Sequence, residues 1–420
     1  MSKPITEKGV EKKKRKRPKL YNKGKRKDIV KMLLGNGGIT YRGLMVYSSN
    51  QRMLYQRIIK EMEAENLVKF GKVQSGKYVK ICDYERLMSE LEIPTKKSEP
   101  AKYVYDEKLF RTYEKDVESQ RYISSYKGKI TKEEKKDERK YENIKSANQR
   151  AERIYRDMEV KQIMYSLGVL TLADEKPELT STVTNLPRPA YYSAQELKQS
   201  DKFQISKVEN ASISGSRSNG CLFCSDGAYM VYHSANKLLR WSNQTEYIFS
   251  TYAAKIANRV GYKIRGNIKQ CILMSYGTEI CTRLLNPATS SRGLMTLENK
   301  YQNIYNIPIC EDGSIHLKIM LRKNWKKELM NLFLEDYDTN VDSLMIPCDG
   351  HRDNEYLLLF CIPDLVKLNN FIAASAWKDE NTEFKIFCFD YQIPLLEQLD
   401  CNVELYSYPI RDYYKVITNM

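Results

Sequence analysis

The sequence predicts a mixed α+β and α/β chain in three parts: an N-terminal winged helix–turn–helix, a charged helical linker and a C-terminal mixed α/β domain. Three observations carry this. Residues 27–81 run as short helix, Gly-rich turn, short helix, polar turn, longer helix and two basic strands. Residues 106–165 are dense in Lys, Glu, Arg and Tyr, with almost no Gly or Pro. The last third alternates strand and helix patterns, which argues for a layer of parallel strands.

Taken in order, a first helix is expected over 27–34, followed by Gly35, Gly37 and Gly38. A second covers 41–47, a turn follows at Ser48, Ser49 and Asn50, and a third helix covers 51–65. In that third helix Tyr55, Ile59 and Met62 keep i, i+4, i+7 spacing and face a small core, which Leu67 closes. Asn66 stands where a left-handed helix cap is expected. Strands over 67–73 and 77–81 join at Gln74, Ser75 and Gly76, and a further short helix covers 84–92. Such an order places one helix in a DNA major groove with a hairpin alongside.

The candidate DNA contacts follow from that layout. Arg52, Gln56, Arg57 and Lys60 share the face of the third helix opposite its core side. Arg and Gln are the side chains that grip guanine and adenine edges with paired hydrogen bonds. Lys69, Lys72, Lys77 and Lys80 on the hairpin suit phosphate. A small winged domain used for protein contact, with an ordinary solvated charged face, is the plainer alternative.

Net charge is +16 over 420 residues, and it is concentrated at the start. Residues 1–31 hold 14 Lys or Arg against Glu7, Glu11 and Asp28. The run at 12–17 cannot fold alone, because like charges repel and nothing apolar is buried. Residues 1–26 therefore read as a basic arm, with Arg15 and Arg17 among its DNA contacts, adding salt-sensitive and sequence-blind affinity. A nuclear signal or a solubilising terminus would show the same composition.

The ten cysteines mostly sit inside apolar runs, as reduced thiols used for packing do. Cys221 and Cys224 form the one CxxC, but on a strand residues three apart face opposite sides, and no second pair completes a zinc set. No cofactor is expected. No signal peptide and no apolar run of spanning length is visible, so a cytoplasmic chain without a membrane partner is expected.

The linker is placed at 94–185. Ile144, Ala147, Ala151, Ile154 and Met158 keep near-helical spacing, as do Val160, Ile163, Met164 and Leu167. Two helices are expected, the first broken near 127–129, forming a solvated connector or, more sharply, a partner-binding arm. The domain at 186–420, in one piece or in two lobes split near 300, should open with a helix over 191–199 capped by Ser193. Strands are expected over 204–214, 221–224, 228–234, 237–241 and 270–276, with helices over 243–260 and 279–285. A hairpin around Asp312-Gly313 would join strands at 303–309 and 315–320. Strands over 356–361, 384–389 and 403–408 would then alternate with helices over 363–374 and 392–399.

Within the C-terminal part, Ser225-Asp226-Gly227 precedes the strand at 228–233, and 238–245 leads into a helix carrying Tyr252 and Lys255. With the winged part, these segments resemble the plasmid replication–relaxation family, winged-helix proteins of bacterial plasmids and integrative conjugative elements. In that family a DNA-binding domain precedes a nuclease-like α/β domain. The resemblance covers roughly residues 27–81 and 220–260. The family's acidic pair falls here on Arg240 and Ser242. Metal-dependent cleavage needs convergent carboxylates, so the resemblance implies a degenerate nuclease-like shape without the chemistry.

The expected function is a sequence-specific, double-stranded DNA-binding accessory protein of a mobile element. It would act in plasmid replication, conjugative DNA processing or their transcriptional control, and not as an enzyme. The C-terminal domain would bind a relaxase or replication protein, or form a homodimer. The alternative is a Mg²⁺-dependent endonuclease or nickase using Asp226, Asp349, Glu383 and Lys385, where an upstream acid plus Glu-x-Lys on a strand can hold a cation.

Overall fold

The computed structural model describes residues 23–47, 52–73, 75–91, 138–172, 175–177, 179, 188–198, 215–287, 293–341, 344–376, 381–399 and 401–419. Over these the chain is mixed α+β, with three sheets and thirteen α-helices.

The N-terminal module comprises α1 (Lys23–Asn36), β1 (Ile39–Thr40), α2 (Tyr41–Tyr47), α3 (Arg52–Ala64), β2 (Val68–Lys72), β3 (Lys77–Ile81) and α4 (Tyr84–Glu90). Its strands lie in the order β1-β3-β2, antiparallel throughout. Leu33, Ile39, Tyr55, Ile59, Met62 and Leu67 meet in one buried core, as their spacing requires. Asn66 has φ +60°, and this left-handed step ends α3 and turns the chain into β2. A two-residue strand such as β1 offers no alternation to read, so the sequence gives no sign of it.

Helix α5 (Glu138–Ser166) is one continuous helix. The expected break near 127–129 and most of the charged stretch at 131–140 lie outside the described residues. The C-terminal half of the helix is covered: Tyr155, Met158, Glu159, Val160, Gln162 and Met164 are all buried.

The C-terminal part opens with β4 (Ala190–Ser193) and α6 (Ala194–Lys198) in place of a single helix. Ser193 still caps α6, receiving the Glu196 N–H while the Glu196 carboxylate accepts from the Ser193 N–H. Next come β5 (Gly220–Cys224), β6 (Gly227–Ala235), α7 (Asn243–Arg259), β7 (Gln270–Ser275), α8 (Glu279–Leu285) and β8 (Asn303–Pro308). The sheet runs β4-β5-β6-β7-β8, antiparallel up to β6 and parallel from β6 to β8. Then follow α9 (Glu311–Met320), α10 (Trp325–Phe333), β9 (Gly350–Arg352), β10 (Glu355–Leu359), α11 (Leu365–Ser375), β11 (Glu383–Phe389), α12 (Ile393–Leu396), β12 (Glu404–Tyr408) and α13 (Ile410–Asn419). The second sheet runs β12-β11-β10-β9, with the expected parallel pairing across β10, β11 and β12.

The two sheets are joined where Tyr305 bridges Asp364 and the Asn306 N–H donates to the Pro363 carbonyl at 2.9 Å. Alternate strand residues therefore feed two cores that each run under both sheets. One core carries Phe249, Ile280, Phe371 and Leu395; the other carries Val160, Leu317, Trp325 and Tyr413. The result is three layers, helix on sheet on helix. Cys221 falls in the first core and Cys224 in the second, so the CxxC thiols point apart as strand geometry demands.

Two further expectations for this part change. Residues 237–241 form no strand beyond an isolated bridge between Arg240 and Leu294. The segment at 204–214 lies outside the described residues. The hairpin at Asp312-Gly313 is instead the first turn of α9, with Gly313, His316, Leu317 and Met320 buried at helical spacing. Glu311 and Asp312 stand in that first turn, where acids favour a helix N-terminus. No described helix is long and apolar enough to cross a membrane.

Candidate nucleic-acid interface

Helix α3 turns Tyr55, Ile58, Ile59 and Met62 into the core, leaving Met53, Arg57 and Lys60 exposed. Arg57 Nε lies 3.9 Å from Glu61 Oε1 one turn on, a loose pair between two half-exposed side chains. Gln56 sits differently from its expected role: half-buried, its Nε2 donates to the Tyr41 hydroxyl at 2.5 Å and ties α3 to α2. Arg52 opens α3, and its side chain, like Arg15 and Arg17, lies outside the described residues.

On the hairpin Lys69, Lys72 and Lys77 are exposed and Lys80 is half-buried. The β2–β3 register sets Lys69 directly opposite Lys80 and Lys72 directly opposite Lys77. Like charges in directly opposed cross-strand positions destabilise a ladder, so the exposed Lys72–Lys77 pair raises the local field without helping the fold. The same bias holds for the surrounding sequence. Residues 1–91 contain 23 Lys or Arg against nine Asp or Glu, while the remaining 329 contain 46 against 44.

The hairpin is held in place from behind. Tyr78 lies against Gly71 and packs with Val73, Ile154, Tyr155 and Met158, so α5 covers the sheet face away from the helical core. At the tip, the Ser75 N–H donates to Glu152 Oε1 at 3.0 Å. Nearly three turns further along α5, the Thr40 N–H and hydroxyl both donate to Gln162 Oε1, at 3.0 and 3.1 Å.

The opposite side of the same helix docks on the C-terminal sheet. Glu159 Oε2 receives the Tyr276 hydroxyl at 2.6 Å and lies 2.7 Å from His233 Nε2. The Ala235 N–H donates to His233 Nδ1 at 3.0 Å, which leaves the ring proton on Nε2, aimed at Glu159. Asn219 donates to Asp157 at 2.6 Å, and Arg153 donates to the Ser216 carbonyl at 3.1 Å. The Arg42 guanidinium stacks on the Tyr276 ring, 3.5 Å from its centre. Burial, with the Glu159 charge beside it, pushes the Tyr276 phenol far up. Burial likewise raises Asp157, against the pull of Arg153 and the Asn219 hydrogen bond, and lowers Arg156. The partner of His233 thus comes from the segment that the sequence marks as a linker, 74 residues away.

The four residues of the nuclease alternative do not gather. Asp226, exposed in the β5–β6 turn, accepts the Asn324 N–H at 3.0 Å. Asp349 accepts from Lys367 and from the Leu359 N–H. Glu383 and Lys385 do meet, but with Glu355: Lys385 Nζ stands 2.9 Å from each carboxylate. The Glu383-x-Lys385 spacing puts both side chains on one strand face, and the register sets Glu355 opposite Glu383. An ammonium thus fills the gap between these acids. Among the described residues no three His, Cys, Asp or Glu side chains converge as a metal-ligand set. Compared with family models, with curated proteins and with solved structures, the chain matches none.

Proposed function

We propose that this chain is a DNA-binding protein whose N-terminal module is a winged helix that docks on a duplex, with α3 in the major groove and the β2–β3 hairpin against phosphate. One observation carries the reading: the exposed lysines of the hairpin, Lys69, Lys72 and Lys77, with Lys72 set directly opposite Lys77 as a like-charge pair that an anionic partner would stabilise. The element order helix, strand, helix, helix, hairpin supports it, as does the exposure of Arg57 and Lys60 on the helix beside the hairpin. Base reading rests on Arg57 and Arg52, while Gln56 sets the angle between α2 and α3 through Tyr41. The basic arm at 1–26, with Arg15 and Arg17, adds backbone affinity. In keeping with the resemblance to the plasmid replication–relaxation family, the proposed setting is replication, conjugative transfer or their transcriptional control on a mobile element. The C-terminal domain would bind a relaxase or replication protein, or a second copy of the chain.

A gel-shift titration over a range of salt tests this. With Lys60, Lys69 and Lys72 changed to Ala, binding should weaken on every duplex and the slope of log K against log salt should flatten by about 2 to 3. Arg57→Ala should narrow the gap between preferred and random duplexes. Binding and slope indifferent to all four changes would remove the groove assignment. Supercoiled plasmid with Mg²⁺ tests the enzyme alternative: nicking that disappears in Glu383→Ala would replace this reading.

A further inference from the structure

A second cationic surface lies at the far end of the C-terminal sheet. From Tyr247 to Thr278 the chain carries no Asp or Glu, yet it holds Lys255, Arg259, Lys263, Arg265 and Lys269. Lys255, Lys263, Arg265 and Lys269 are all exposed, and among the described residues none of these four has an ion-pair partner. Elsewhere on the C-terminal body Lys367, Lys385 and Arg411 each face a carboxylate.

The loop that presents Lys263 and Arg265 is pinned on every side. Asn258 closes it, accepting the Ile264 N–H at 2.6 Å and donating to the Ile264 carbonyl at 2.8 Å. The Tyr262 hydroxyl donates to the Cys224 carbonyl at 2.8 Å, and its ring packs on Phe223. Beyond Arg265, the Ile268 N–H reaches back to the Ser250 carbonyl. Charges held this way lose little freedom when an anion arrives. The loop leads into the start of β7, while the other end of β7 runs into Tyr276 and the α5 interface. One strand length, about 20 Å, therefore separates the two ends.

The geometry points to a second nucleic-acid contact on the C-terminal body, in which Lys263, Arg265 and Lys269, with Lys255 beside them, grip the phosphodiester backbone. It rests on the proposed DNA-binding role for its choice of polyanion. This contact reads no bases, because it offers cations on a loop and no helix or ribbon to enter a groove. It would hold a stretch of duplex other than the one on the hairpin, or the same duplex led around the body.

Salt titration of the full chain on a 40-base-pair duplex tests it. The variant K263Q/R265Q/K269Q should bind about tenfold more weakly at moderate salt, with a slope flattened by about 2 to 3 and the ranking of duplex sequences unchanged. The K60A/K69A/K72A variant should keep a residual, sequence-blind affinity that the additional three Gln changes lower further, by about tenfold, with a second flattening of the slope. Loss of affinity in the loop variant alone, with the hairpin variant unaffected, would keep this contact and discard the hairpin. Unchanged affinity and slope in the loop variant would overturn it. So would binding to vesicles of equal phosphatidylserine and phosphatidylcholine that depends on these three residues while duplex binding does not. K255Q/K263Q, at two exposed positions, provides the same reading should the triple change disturb folding.

Discussion

His233 Nε2 lies 2.7 Å from Glu159 Oε2, and both side chains are sealed from solvent. The carboxylate also takes the Tyr276 hydroxyl, so one acid on α5 satisfies donors from β6 and from the end of β7. Thr40 of the N-terminal module approaches the same carboxylate at 3.5 Å and the neighbouring Gln162 at 3.1 Å. The join between module and body is therefore polar, buried and hydrogen-bonded, which makes it sensitive to the loss of any member.

Glu159→Ala should cost about 3–5 kcal/mol, because it strands the His233 N–H and the Tyr276 O–H in a dry site. Denaturant unfolding followed by tyrosine fluorescence and by amide exchange would show it. The expected pattern is a lower midpoint with earlier exchange in β1 and α2. A change below about 0.5 kcal/mol would mean that water replaces the carboxylate.

His316 sets an acid limit. It is fully buried in α9, edge-on to Phe389 and hydrogen-bonded through Nδ1 to the Tyr391 hydroxyl. Burial holds the ring's pKa down at about 3. The unfolded chain takes up that proton near pH 6.5, the folded chain near 3, so the stabilisation is complete above about pH 6.5 and is lost as pH falls toward 3. His316→Phe should flatten the stability profile between pH 6.5 and 4. In the unaltered protein the ring protons of His316 should keep their NMR shifts from pH 7.5 to 4, and a titration midpoint near 6 would refute the assignment.

Gly313→Ala should destabilise by about 3 kcal/mol. A Cβ there would sit 1.9 Å from the Pro308 carbonyl oxygen, a backbone atom fixed at the end of β8, so α9 would have to move off the sheet. The midpoint of urea unfolding checks this, and an unchanged midpoint would show that α9 shifts freely.

Deleting residues 1–22, which hold nine Lys or Arg, should lower affinity for every duplex and flatten the salt slope while leaving sequence preference intact. Altered preference on a panel of duplexes would place the arm in base reading instead.

Much of the architecture could be read in advance where periodicity is clean. The α3 core side, the left-handed Asn66, the apolar strands β5 to β7, buried on both faces, and the parallel β10, β11 and β12 all follow from local pattern. Misreadings cluster where a small or polar residue does a core residue's job. Asp312-Gly313 looks like a turn, but the glycine is there to let a helix approach a strand end, and His316 hides the helical stripe. The α5 junction was missed for a related reason. Glu159 and Gln162 sit in a charged stretch, and nothing local marks them as buried, because their partners lie 74 to 122 residues away. For the candidate interface, the exposure of Arg57, Lys60, Lys69, Lys72 and Lys77 agrees with their spacing, whereas the half-burial of Lys80 and the tie from Gln56 to Tyr41 depend on packing between elements.

Because α5 backs the hairpin and caps Thr40, the sequence boundary near residue 93 is a poor place to cut. A fragment ending there would bare the Tyr78 and Val73 side of the hairpin and leave Thr40 without its glutamine. An N-terminal piece should instead run through Ser166, with Val160, Ile163 and Met164, which the body covers in the whole chain, changed to polar residues.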